Sequence, residues 1–327
     1  MSSLRVSLLG ATGQTGLSIL EGLLAEKNLN LTVEALVRPS SAEKTSVKRL
    51  EERGVTIHIA DLSGPSEALV SALTGIDILI SAISAGSQLE QRSLASAAKA
   101  AGVKRFLPCG FTTVAPAGDV MRLRDDKEEI YAHVKELGLP YTVVDVGYWY
   151  QISFPRLPSG KVDYAMMIPN SDIHGDGEAL NILTDKRDIG RFVARIIADE
   201  RTVNEYVYTW GEVLTENQIF GMLEDMSGEK IERNHISNDQ VEATVAAAKK
   251  HLADNPEDFM AHVGIWKAQY AHSKYVRRDN QPKVAKELGY LDARELYPDF
   301  KPISFREYLA ELLDGKGEKP YANSDLI

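Results

Sequence analysis

Cysteine is nearly absent from this chain: Cys109 stands alone among 327 residues. That excludes an intrachain disulfide and a zinc site built on paired thiolates, and it suits a reducing compartment. Basic charge is short as well. With 37 Lys and Arg against 47 Asp and Glu, the formal net charge is -10, and the basic residues form no stripe that would follow a nucleic-acid backbone. Long apolar runs are missing too. The N-terminal one follows Arg5 and breaks at Gly10, so it reads as neither a signal peptide nor a membrane span. The seven histidines have no metal-ligand spacing. These absences lead us to expect a cytoplasmic protein, monomer or homodimer, that acts on a small molecule without nucleic acid, membrane or metal.

What is present is a chain that is 44% hydrophobic and long enough for about two packed domains. Short apolar runs at Leu4–Leu9, Leu31–Val37, Val55–Ala60, Asp77–Ser81, Arg105–Pro108 and Tyr141–Val146 read as strands. Between them, Thr15–Glu26, Glu43–Arg53, Ser66–Leu73, Leu89–Ala101 and Val120–Leu137 carry apolar residues at helical spacing, and Gly102 and Gly138 end two of these helices. The alternation predicts an α/β fold, a Rossmann-type doubly wound parallel sheet over residues 1–151. Beyond Gln151 the alternation fails, and residues 152–327 are expected to form a smaller, mainly helical substrate-binding region, partly interwoven with the first. Thr215-x-x-Gln218, Ser237-x-x-Gln240 and Ser304-x-x-Glu307 match capping boxes, Tyr206–Trp210 reads as a strand, and the Gly315–Ile327 tail is expected to be poorly ordered.

The first βα turn carries the most specific motif, Gly10-Ala11-Thr12-Gly13-Gln14-Thr15-Gly16. Glycines there allow a tight turn and let backbone amides approach a pyrophosphate at a helix N-terminus, so Gly10, Thr12, Gly13, Gln14, Thr15 and Gly16 are the candidate dinucleotide cradle. The second strand ends at Arg38, where an NAD enzyme usually places an acid. A guanidinium there pairs with the 2′-phosphate of NADPH, with Lys44 or Lys48 as a second charge; the plain alternative is a solvated arginine. Asp61 either accepts from the adenine amino group or caps the next helix.

Several stretches together resemble the family of isoflavone, pinoresinol–lariciresinol and phenylcoumaran benzylic ether reductases, within the wider NmrA-like group of atypical short-chain dehydrogenases. They are Gly10–Gly16, Leu36–Pro39, Asp77–Ile83 with Gln91, Val103–Pro108, Lys127–Ile130 with Gly138–Thr142, Gly175–Gly177 with Asp188–Gly190, and Asp199–Val207. Gly289–Phe300 is most similar to a fungal branch of that group. The resemblance implies an NADPH-dependent reductase whose catalytic lysine lies thirteen residues before the proline that opens the sixth strand. Lys127 and Pro140 have that spacing, whereas on the residues alone Lys127 would read as an exposed member of a charged run. The family's Ser-Glu-Phe-Gly is replaced by Cys109-Gly110-Phe111-Thr112, which keeps only Phe111, and Cys109 reads as a packed residue.

A rival motif, Tyr131-x-x-x-Lys135, fits the acid/base pair of ordinary short-chain dehydrogenases and makes Tyr131 the alternative acid. The nicotinamide is expected over the strand ends near Ser81–Ser84, Phe111 and Val146–Tyr148, with Lys127 beside it. Tyr148-Trp149-Tyr150 after the sixth strand, and Trp266, Tyr270 and Tyr275 on a helix of the second half, are candidate walls for a flat ligand, or simple core. The function that follows is hydride transfer from NADPH to an aromatic or conjugated molecule, at a C=C bond, a ketone or a benzylic ether, with Lys127 as general acid/base. The alternatives are an NmrA-like sensor that binds NADP without turnover, and an isomerase that retains its nucleotide.

Overall fold

A computed structural model describes residues 3–167 and 169–322. In chain order its elements are β1 Leu4–Leu9, α1 Gln14–Ala25, β2 Leu31–Val37, α2 Thr45–Glu52, β3 Thr56–Ile59, α3 Ser66–Leu73, β4 Ile78–Ser81, α4 Gln91–Ala101, β5 Arg105–Leu107, α5 Arg122–Glu136 and β6 Thr142–Asp145. Then come β7 Tyr148–Trp149, β8 Asp172–His174, β9 Asn181–Thr184, α6 Lys186–Ile196, β10 Glu205–Tyr208, β11 Glu212–Leu214, α7 Glu216–Ser227, β12 Asn234–Ile236, α8 Asn238–Asp254 and α9 Phe259–Ala271. The chain ends through α10 Pro282–Glu287, β13 Leu291–Asp292, α11 Ala293–Leu296 and α12 Phe305–Leu313. It divides into two compact units: Met1–Phe111 with Asp125–Asp145 and Arg187–Val207, and Thr112–Arg124 with Val146–Lys186 and Tyr208–Ile327.

The first unit is built on a parallel sheet in the order β3-β2-β1-β4-β5, the expected doubly wound arrangement. A bridge from Phe106 to Tyr141 carries the sheet on to β6, beside which β10 lies. All four residues of β4 and the last four of β1 are buried, as strands covered by helices on both faces must be. Gly102, at φ 76°, ends α4 in the left-handed turn its position suggested.

Segment Arg187–Val207 belongs to this unit because α6 lies directly on α1. A Cβ at Gly22 would sit 2.2 Å from the Gly190 carbonyl, and one at Gly190 would sit 1.8 Å from the Ser18 carbonyl oxygen. The Gly190 amide donates to Ser18 Oγ at 3.1 Å. Past α6, the buried Arg105 guanidinium donates to the carbonyls of Ile196 at 3.1 Å, Ile197 at 3.0 Å and Asp199 at 2.9 Å, closing the helix's C-terminal end with a cation.

In the second unit β9 pairs with β7 in parallel and with β11 antiparallel, while β8 pairs with β12. Tyr150, Phe154, Leu183, Phe220, Phe305 and Tyr308 centre its core. All three predicted capping boxes form, at Thr215, Ser237 and Ser304. Helix α9 runs into a π-helical turn at His272–Val276, a local widening often found at functional positions. Two expectations need correction. Among the described residues six short strands follow residue 152, not the single one foreseen; at two to four residues each they are too short to show alternation. The tail is packed as far as Tyr321: the Gly317 amide donates to Tyr164 at 2.8 Å, Glu318 pairs with Lys186 at 3.0 Å, and Tyr321 stacks on Trp149. Residues 323–327 lie outside the described residues. Among the described residues no helix is long and apolar enough to cross a membrane.

Gly→Ala inside an exposed helix normally stabilises by about 1 kcal/mol. At position 190 the methyl has no room, so Gly190→Ala is expected to lower the unfolding free energy by about 1–3 kcal/mol in urea denaturation; a gain would refute the backbone contact of α1 with α6.

Candidate active site

The glycine motif sits at the carboxyl end of β1. A Cβ on Gly10 would lie 2.4 Å from the Ala82 carbonyl oxygen and one on Gly16 2.0 Å from that of Gly10, so these two glycines let strand, turn and helix close together. Gly13 is the N-cap of α1, with no side-chain cap and no acidic residue in the first turn. Thr12 and Gly13 are exposed, and Gln14 and Thr15 half-buried. A helix start of this kind, at the positive end of the helix dipole, suits an anion. At the neighbouring end of β4 the Ser81 hydroxyl is buried with no partner among the described residues.

Arg38 follows β2 directly and is exposed, as is Lys44 at the N-cap of α2. Asp61 is exposed too. Its carboxylate accepts from the Ser63 amide at 3.0 Å and the Ser63 hydroxyl at 2.8 Å. The Ser63 amide first, then its hydroxyl, hold the Asp61 carboxyl below the usual range, with the Arg38 charge adding to this. Asp61 thus organises a local turn, and the N-cap of α3 is Pro65 instead.

Lys127 is buried, at 3% exposure, unlike the surface lysine its charged run suggests. Its Nζ donates to the Cys109 carbonyl at 2.6 Å and to Gln88 Oε1 at 3.2 Å. Tyr131, also buried, donates to the same Cys109 carbonyl at a longer 3.4 Å. The two rival proton donors therefore converge on one backbone oxygen just past β5. That loop is held from behind, because the Cys109 amide donates to Gln91 Oε1 at 2.8 Å, Gln91 donates to Gln88 Oε1 at 3.1 Å, and Gln88 donates to the Ser84 carbonyl at 2.9 Å. Phe111 takes a left-handed φ of 49°, a strained conformation for a bulky residue, fastened by the hydrogen bond its N–H donates to the Val144 carbonyl at 2.6 Å. Sequence reasoning missed Gln88. Its only signal is its spacing of three from Gln91.

The second unit holds most of the aromatic candidates. Tyr148 on β7 meets Tyr270 on α9 with ring centroids 6.0 Å apart, and the Tyr270 hydroxyl lies 2.6 Å from Thr112 Oγ1. Trp149 stacks on Tyr321 instead, and Trp266 packs edge-on to Phe259 at 6.1 Å. The Trp266 indole nitrogen is buried without an acceptor among the described residues. One residue in this region escaped the sequence reading. Lys274, 4% exposed, places its Nζ 3.3 Å from the centroid of the Tyr148 ring and 4.6 Å from that of Tyr275. Burial brings its pKa down to about 7, with Glu216 opposing the shift. Its spacing of four from Tyr270 was the available signal.

A family model described as NmrA-like matches residues 2–309. The chain belongs to the NmrA-like family. Asnovolin J 5′,6′-dehydrogenase of Aspergillus novofumigatus is 43% identical over 315 residues, covering 96% of both chains. A phenylcoumaran benzylic ether reductase of Ginkgo biloba is 27% identical over 96% of this chain and 100% of its own. Among solved structures, leucoanthocyanidin reductase of Vitis vinifera, a binary complex with NADPH, superposes with a TM-score of 0.78 at 23% identity, covering 95% of this chain and 99% of that one. With a dehydrogenase at such identity along the whole length, this NmrA-like chain is an oxidoreductase.

Lys274 loses its proton near pH 7 when folded but near 10.5 when unfolded, so between those values the unfolded chain binds more protons and stability rises with pH. Relative to Lys274→Met, the wild type is expected to gain unfolding free energy between pH 7 and pH 10 in urea titrations. A flat difference would mean the amine is not desolvated.

Proposed function

We propose that this protein is an NADPH-dependent reductase of an aromatic or conjugated small molecule, with Lys127 handling the proton. The observation that carries the reading is the position of Lys127, buried at the carboxyl end of the parallel sheet whose first strand opens into the glycine loop. Relatives named as reductases and a dehydrogenase support the class of reaction.

The residues present fit the cofactor. The close glycine turn and the uncapped start of α1 form a cradle for a pyrophosphate, and the unpartnered Ser81 hydroxyl offers a polar contact at the end of β4. Arg38 and Lys44, both exposed and cationic beyond β2, suit a 2′-phosphate; Asp61, bound to its own turn, suits the adenine edge less. When bound, NADPH supplies the hydride. Lys127 gives a proton from Nζ to the substrate atom on which negative charge develops, while its bond to the Cys109 carbonyl keeps the amine aimed in one direction. Gln88, sharing Lys127 and joined to Gln91, restrains the stem of that arrangement.

Arg38→Asp is expected to shrink or reverse the preference for NADPH over NADH, read as the ratio of the two dissociation constants. Equal wild-type affinities would overturn the 2′-phosphate assignment.

The choice between the two donors to Cys109 is open to direct test. Lys127→Ala should lower kcat by roughly a hundred- to ten-thousand-fold while NADPH still binds, whereas Tyr131→Phe should cost little. The opposite pattern would transfer the role to Tyr131. Binding of NADPH without turnover across a broad panel of enones and aryl ketones would instead favour a regulatory sensor.

A further inference from the structure

Lys274 is unlike the other buried cations of the second unit. Among the described residues its ammonium makes no hydrogen bond and no salt bridge, and its contacts are the faces of Tyr148 and Tyr275. Three donor hydrogens held against π-faces, at 4% exposure, call for an acceptor that the protein itself does not provide. The position is built. Lys274 lies on the π-helical turn after α9, and Tyr275 beside it stacks on His174 with ring centroids 4.1 Å apart and planes 6° from parallel. His174 is in turn fixed by Glu216, which accepts from its amide at 2.7 Å and meets Nδ1 at 2.9 Å. Tyr148, on the other face of the amine, is steadied by Tyr270.

We propose that Lys274 forms a binding site in the second unit that recognises a phenolic or enolic oxygen on an aromatic or conjugated ligand. The Tyr148 and Tyr275 rings make the surroundings of the amine apolar, and the ammonium, lying over the Tyr148 face, offers a charge to a polar oxygen. A phenol is also better matched than a carboxylate. An amine brought down to about 7 and a weakly acidic O–H have comparable proton affinities, so the O–H proton passes to Nζ and a phenolate–ammonium pair forms with no net proton exchanged with solvent. The titratable groups around the amine are Tyr148 on β7, Tyr270 on α9, Tyr275 on its own turn, and His174 and Glu216 beyond that ring. Of these Glu216 favours the charged amine, and burial pushes the Tyr148 and Tyr275 hydroxyls up, so neither tyrosine competes as the anion.

The test uses the full chain with 7-hydroxycoumarin and its ether, 7-methoxycoumarin, as probes. Wild-type protein should bind the hydroxy compound about tenfold or more tightly than the ether, and the bound dye should show phenolate absorption at a pH where the free dye is phenol. Lys274→Met should erase both the preference and the phenolate band while leaving the ether's affinity unchanged; Lys274→Arg should keep part of the preference. NADPH binding, measured in parallel, shows that each variant is folded. No preference in the wild type, whether both probes bind or neither does, or a preference that survives Lys274→Met, overturns the proposal. A preference that depends on Lys274 in a protein that never oxidises NADPH would uphold the recognition and sink only the reductase reading.

Discussion

The first unit depends on one helix that gives up side chains to approach its neighbours. At Gly16 α1 lies against the turn leaving β1, and at Gly22 it lies against Gly190 of α6, with no space for a methyl group at either point. Two backbone contacts on one helix leave it little freedom to tilt. Its N-terminus is thereby fixed over the end of β1, where the dipole and the amides of the first turn have the same target. The Gly22–Gly190 contact also brings Arg187–Val207 back to a sheet that would otherwise have ended at β6, and Arg105 secures that return through the last carbonyls of α6.

The loop after β5 shows a different economy. Burying an ammonium is unfavourable unless strong acceptors are near, and Lys127 finds a backbone carbonyl and an amide oxygen. The acceptor is backbone, so the departure from the family's usual Ser-Glu-Phe-Gly changes side chains in this loop without touching the oxygen that Lys127 uses. Phe111, the residue kept, is the one in a left-handed conformation. The hydrogen bond its N–H donates to the Val144 carbonyl ties the turn to β6.

In the second unit the corresponding cation, Lys274, has no such acceptors and rests on rings. Cation–π contact is sequence-tolerant and leaves the amine's donors unspent, which is why this cluster reads as a place for a ligand while the Trp149–Tyr321 and Trp266–Phe259 pairs read as packing.

The sequence by itself determined the parallel sheet, because strands of three to seven residues separated by helices of eight to fifteen leave a periodicity that local composition records: β1, β2 and α3 begin and end where the apolar pattern does. It determined the glycine turn and the three capping boxes for the same reason, since these are contacts between residues a few positions apart. It pointed to Lys127 through resemblance, and to Tyr148 and Tyr270 only as members of a wider aromatic set in which Trp149 was favoured for its place at a strand end. Tertiary structure decided what depends on distant partners. The burial of Lys127 requires Gln88 and Cys109, thirty-nine and eighteen positions away, and the meeting of α1 with α6 joins residues 168 positions apart. The short strands after residue 152 pair across the chain too, with no periodicity of their own to announce them. Lys274 drew no reading from the sequence, because its surroundings depend on Tyr148, 126 positions earlier, whose ring lies against its amine.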